Sequence, residues 1–297
     1  MFYFCKLAKK VEYMETRENK ILVPVDFGEQ SLIALDQSYN IARMVNAEIY
    51  ILHVITENNA LWGLFSKKEQ GDFEEKLKIK LSEFAGFIEK KSGIKVIPLV
   101  EKGKLIESII ETAERLKVKF LIVGTTGSTD IKQKVIGSNA LRIIREASFP
   151  IITIKGKHHR AGCKNIVLPL DLTKETREKV SNAIHFAKYF NSVVHAVTIN
   201  TTSDTYIMNR LKMQLEQVSN YIKNQGVECT QNFINSDSGN ENMCNALLDF
   251  SYKVEADLIM IMTQQETEVI KYFVGSLAKE IIHNSDIPVM SIVPKNR

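Results

Sequence analysis

The chain has little of what marks a secreted, membrane-spanning or nucleic-acid-binding protein. Its 297 residues hold four cysteines, at Cys5, Cys163, Cys229 and Cys244. None form a Cys-x-x-Cys pair, and no Cys/His spacing suits zinc. Thiols scattered through a chain of this size point to a reducing cytoplasm. No apolar run approaches the roughly 20 residues of a membrane-spanning helix, so no membrane partner is expected. The net charge is a mild +4, and no Lys/Arg cluster is interleaved with aromatics, so the composition makes no case for nucleic acid. The densest basic stretch, Lys155 to Arg160 with His158 and His159, reads as a solvated connection. Familiar catalytic loops are missing too. There is no Gly-x-x-x-x-Gly-Lys-Ser/Thr and no Gly-x-Gly-x-x-Gly after the first strand, which argues against a dinucleotide enzyme. There is no Gly-x-Ser-x-Gly elbow. His53 falls within a strand, where packing explains it better than catalysis, and no paired acid and base points to a reaction.

With 44% hydrophobic and 25% charged residues the chain reads as globular, with length for one large domain or two ordinary ones. It contains one unit twice. Ile21 to Asp26 is an apolar strand ending in a carboxylate, and Ile166 to Asp171 is another. Pro24 and Pro169 lie 145 residues apart, as do Asp26 and Asp171, and Asn46 and Asn191. Gly137-Ser138 precedes Pro150 at the spacing by which Gly275-Ser276 precedes Pro288. The expected division is a leader at 1–19, outside the fold and without order, then domains at 20–156 and 163–297. Met14 is a candidate start, because patterned sequence begins at Lys20.

Within each copy short, β-branched, almost wholly apolar segments alternate with helical patterns. Strands are expected at 21–26, 48–55, 95–100, 119–124 and 150–154, and at 165–170, 192–199, 227–234, 257–262 and 288–293. Such segments suit parallel strands buried on both faces. The fold expected is therefore α/β: two tandem five-stranded parallel sheets, Rossmann-like, with helices on both faces. In such sheets ligands bind outside the carboxyl ends of the strands.

Asp26 and Gly124 both fall at strand carboxyl ends. After Gly124 come Gly127, nine residues, and Gly137-Ser138-Asn139. The missing side chain at Gly124 would let a sugar or ring approach the backbone, and Gly127 would free the loop for a tight turn. Gly137, Ser138 and Asn139 open a helix whose free N–H groups and positive dipole end suit phosphate. Lys132 and Lys134 lie in the intervening span. Taken singly, Gly124 is an ordinary turn glycine and Ser138 an ordinary cap or packing residue. Asp26 could accept hydrogen bonds from an adenine amino group or a ribose hydroxyl, or it could cap the loop near Ser31. The combination reads as a mononucleotide site.

These motifs resemble the universal stress protein family in its tandem two-domain form. The resemblance rests on Val23 to Asp26, the Gly-x-x-Gly-x9-Gly-Ser run from Gly124 to Ser138, and Pro150 to Ile154 as a last strand. It implies an adenine-nucleotide-binding fold, stress or growth-arrest physiology, and pairing through last strands, here within one chain as a pseudo-dimer, with a further homodimer of chains allowed. It implies that Val25 and Asp26 meet adenine, Val100 lies beside the base, Gly124 and Gly127 line ribose and phosphates, and Gly137, Ser138 and Asn139 hold phosphates. The cofactor implied is ATP or another adenine nucleotide, with Mg²⁺. Gly28 departs from the Ser usual in the family's first loop, which could loosen that turn. The second copy departs further: Met262 to Glu266 replaces the open glycine loop, and a carboxylate there opposes triphosphate. One nucleotide per chain, in the first copy, is the expectation. Two alternatives stay open: a slow ATPase using Lys132 and Lys134, and a nucleotide-free interaction protein whose glycines serve folding.

Overall fold

Strand and helix alternate through both halves, and the strands join into one sheet. The computed structural model describes residues 17–56, 66–125, 137–155, 162–170, 176–262 and 275–292. In the first half these give β1 (Glu18–Pro24), α1 (Glu29–Met44), β2 (Glu48–Ile55), α2 (Lys67–Ser92), β3 (Val96–Lys102), α3 (Leu105–Arg115), β4 (Val118–Gly124), α4 (Ser138–Glu146) and β5 (Ile151–Ile154). The second half repeats the pattern with β6 (Asn165–Pro169), α5 (Thr176–Phe190), β7 (Val193–Asn200), α6 (Thr205–Asn224), β8 (Cys229–Asn235), α7 (Asn240–Lys253), β9 (Leu258–Met262), α8 (Ser276–Asn284) and β10 (Val289–Ile292). The ten strands lie in the order β3-β2-β1-β4-β5-β10-β9-β6-β7-β8. Every pairing is parallel except β5 with β10, which is antiparallel. The α/β class, the parallel sheets and the strand positions, to within about three residues at each end, follow the sequence patterning.

Helices cover both faces. Side chains of α1, α2, α5 and α6 pack on one face in a core that includes Ile21, Ile51, Phe120, Ile166 and Met290. Those of α3, α4, α7 and α8 pack on the other with Leu22, Leu52, Leu121, Val167 and Val289. Successive residues of β1 and β4 serve opposite cores, which is why these strands are apolar nearly end to end. The helix-to-strand turns repeat as well. Asn46 and Asn191 hold φ of 46° and 53°, and Lys117 and Glu255 hold 51° and 52°. The two asparagines are residues that tolerate the left-handed region, which gives their 145-residue spacing a backbone cause. Edge strand β3 contains Pro98, whose missing N–H is harmless at an unpaired edge.

Between the halves Met290 pairs with Ile152, and the Thr153 hydroxyl donates to Val289 O at 3.2 Å. Phe120 and Phe186, both fully buried, meet with ring centroids 5.3 Å apart. Buried Lys119 donates to Asn19 Oδ1 at 2.7 Å and lies 4.5 Å from the Tyr189 ring centroid, and the Tyr189 hydroxyl donates to Val45 O. The first strand begins at Glu18, two residues before the patterned sequence, and Arg17 is already buried. Its guanidinium donates to Val118 O and Glu114 Oε2, both at 3.1 Å, and faces the Phe149 ring. Glu18 and Asn19 thus belong to the sheet rather than to a leader, and Arg17 packs against it.

Candidate functional site

Strand order runs outward in both directions from β1 and β4 in the first half, so the crevice at their carboxyl ends is a topological switch point. A cleft of about 350 Å³ opens there. Pro24, Val25 and Asp26 from the end of β1 and Val123, Gly124 and Thr125 from the end of β4 line it. Gly137, Ser138 and Asn139 at the start of α4 form another wall, and Leu105, Ile109 and Ile143 an apolar one. Six of the eight residues expected at a nucleotide therefore border one space. Gly127, Lys132 and Lys134 lie outside the described residues. Val100 does not line the cleft: it sits on edge strand β3 opposite His53 and packs, half-buried, against the α1/α2 core.

The α4 end matches the sequence reading in its backbone. Gly137 caps the helix with φ −59° and ψ 142° and no side-chain cap. Its N–H donates to Thr125 O, and the helix's own ladder starts with Leu141 N–H on Gly137 O at 3.3 Å. The N–H groups of Ser138, Asn139 and Ala140 precede that ladder and point their dipoles outward from the helix start. Ser138 is the first helical residue, not the cap.

Asp26 is committed in part to its own loop. Its Oδ1 accepts from Gly28 N–H at 2.8 Å and from the Ser31 hydroxyl at 2.6 Å, while Asp26 N–H donates to Ser31 Oγ at 3.3 Å. Oδ2 takes no hydrogen bond among the described residues. Gly28, at φ −72° and ψ 157°, holds ordinary extended backbone, so the turn is tied by Asp26 and Ser31 without a side chain at position 28. Gly124 also has a packing reason. A Cβ there would lie 2.7 Å from Gln30 O and 2.8 Å from Gln30 C, so β4 ends against the first turn of α1 only because that side chain is missing. The open approach expected at Gly124 is thus taken up, on the Cβ side, by protein backbone.

Three features beside the cleft go beyond the sequence reading, which places His53 as packed and does not single out Phe27 or Thr125. His53 Nδ1 lies 2.8 Å from Val25 O, an acceptor, so Nδ1 carries the proton. Phe27, 41% exposed and at φ 62°, sets its ring 5.5 Å from that of His53 and 5.8 Å from that of Phe84. Thr125, buried in the cleft wall, has an Oγ1 without a hydrogen-bond partner among the described residues. A histidine in an apolar strand is the only trace these contacts leave in the sequence. Among the described residues no group of three or more His, Cys, Asp or Glu could hold a metal ion.

The second half differs at its corresponding end. Gly275 repeats the cap conformation at φ −52° and ψ 146°. Leu277 follows where Asn139 stands in the first half, and the Ser276 hydroxyl already accepts from Asn240 Nδ2 at 2.8 Å. Met262, opposite Ile292, replaces Gly124, opposite Ile154. Asp171 and residues 263–266 lie outside the described residues.

The sequence model of the universal stress protein family matches residues 18–155 and again 162–292. Universal stress protein MJ0531 of Methanocaldococcus jannaschii is 30% identical over 148 residues, covering 48% of this chain and 84% of that protein. Universal stress protein MJ0577 of the same organism is 31% identical over 161 residues, covering 49% of this chain and 99% of that protein. The crystal structure of a universal stress protein from Archaeoglobus fulgidus superposes with a TM-score of 0.69 at 19% identity, covering 94% of this chain and 97% of its own. A family match over both halves, in the same order as the repeated strands and helices, makes this chain a tandem member of the universal stress protein family.

Proposed function

We propose that the first half binds one adenine nucleotide per chain, ATP with Mg²⁺ as the leading form, and that the protein senses or regulates in a cytoplasmic stress response. The observation that carries this reading is the cleft itself. It joins a helix start rich in small residues to a strand-end carboxylate at the switch point of the sheet. Phosphates suit the N–H groups of Ser138, Asn139 and Ala140, where backbone donors and dipole favour anions. An adenine suits the other end, between the backbone of Val25, the carboxylate of Asp26 and the apolar side chains of Leu105 and Ile109. Mg²⁺ would be carried by the phosphates. The second half, with Leu277 and the Asn240–Ser276 bond, serves as partner to the first.

Calorimetric titration with ATP and Mg²⁺ should give close to one site per chain. Asn139→Leu, which copies the second half, should weaken binding several-fold. Binding that is absent, or whose affinity is unchanged by Asn139→Leu together with Ser138→Ala, would reject the reading. One observation favours a second reading, an interaction protein without nucleotide: Gly124 is required by Gln30 whether or not a ligand is present. Mass spectrometry of a denaturing extract separates the two, since a copurified adenylate supports the first and none is expected for the second.

A further inference from the structure

We infer that His53 is a positioning residue for the base end of this site, holding the β1 terminus from which Val25 and Asp26 would meet an adenine ring. The inference rests on the nucleotide reading above. The β1–β2 register runs to Pro24 opposite Leu52, and one further bond, Val25 N–H to Leu52 O at 2.8 Å, ends the backbone pairing there. Val25 O is then taken by a side chain, His53 Nδ1, at 2.8 Å. Val25 is thus held at both its polar atoms just before the chain turns away at Asp26. The next residue, Phe27, occupies a left-handed conformation that is strained for a residue carrying a Cβ. Its ring contact with His53 and Phe84 offsets that strain. One histidine therefore fixes the residue on each side of Asp26.

The second half shows what the strand end looks like without this clamp. Pro169 pairs with Val197 as Pro24 pairs with Leu52, so Thr198 stands where His53 does. Thr198 is buried and its Oγ1 has no hydrogen-bond partner among the described residues. The end of β6 is instead held one residue earlier, by Lys179 Nζ donating to Pro169 O at 2.8 Å. The histidine clamp and the intact glycine run thus occur in the same half. Preorganised backbone at the base end favours a ligand whose base fits it, and adds little for one held by phosphate alone.

The test is base discrimination, read as the ratio of GTP to ATP dissociation constants on the full-length protein. Wild type should prefer ATP. His53→Leu should reduce that preference at least fivefold. His53→Gln should do the same, because its amide lies a bond farther out, and it covers the case in which the leucine variant fails to fold. His53→Asn, whose Nδ2 sits near the place of Nδ1, should keep the preference. Equal weakening of both nucleotides, an unchanged ratio in the glutamine and leucine variants, or a wild type that treats ATP and GTP alike would overturn the inference. A wild type that binds neither would overturn the nucleotide reading itself and this inference with it.

Discussion

Gly124 lies at a contact where ligand binding and packing make different demands. Its absent Cβ is claimed by Gln30 O and Gln30 C, both under 3 Å away and both backbone. Gly124→Ala should therefore destabilise by about 1–3 kcal/mol through forced displacement of the α1 turn, read as a lowered urea midpoint with unchanged slope. Were the midpoint unmoved, the contact with Gln30 would not limit this position. The thiols give a second prediction at the same scale. Burial, with Asp257 adding a smaller push, raises Cys163 to about 12. Burial also raises Cys244 to about 11, moves Cys229 upward, and raises Tyr39 to about 12. Each acid is held protonated by the fold, so above the unfolded thiol range the unfolded chain binds fewer protons and stability falls with rising pH. The contribution is fully present below about pH 8 and is lost progressively toward pH 12. Melting temperatures should drop across that window, and these three thiols should resist alkylation at pH 8 until denaturant is added.

At the scale of elements, α4 and α8 begin alike in backbone and differently in chemistry. Both are capped by glycine in extended conformation, but Ser276 is already hydrogen-bonded to Asn240 and Leu277 presents no polar group. Restoring the polar start with Asn240→Ala and Leu277→Asn should leave the stoichiometry at one nucleotide per chain, because the end of β9 differs too, with Met262 packed against the α5/α6 core where the first half has Gly124. A second calorimetric site would show that the helix start alone decides occupancy. This contrast also marks what the sequence reveals. Strands buried on both faces announce themselves as apolar runs, and Asn46 marks a turn because few residues suit its left-handed backbone. Contacts between residues far apart in the chain leave no local pattern. Arg17 finds Glu114 and Val118, and His53 finds Val25, through the order of strands in the sheet. Val100 falls outside the cleft for the same reason: β3 is the edge strand, with β2 between it and β1.

For the whole molecule, the antiparallel seam between β5 and β10 decides whether the halves are two domains or one folding unit. Both helix-covered cores contain residues from each half, and Phe186 of α5 lies against Phe120 of β4. Removing the Phe186 ring should cost about 3–5 kcal/mol, as for other buried phenylalanines. If the halves were independent, that loss would fall on the second alone. The shared cores argue that they unfold together, so Phe186→Ala should lower hydrogen-exchange protection at the most stable amides of β1 and β4 as much as at those of β6 and β9. Calorimetry should then show one transition whose van't Hoff and calorimetric enthalpies agree. Protection lost only in the second half, or a split transition, would show two autonomous units and would leave the nucleotide cleft of the first energetically separate from its partner. The seam would otherwise give the partner half a direct energetic connection to the site, since β4 carries Phe120 in that contact and ends at Gly124 in the cleft wall.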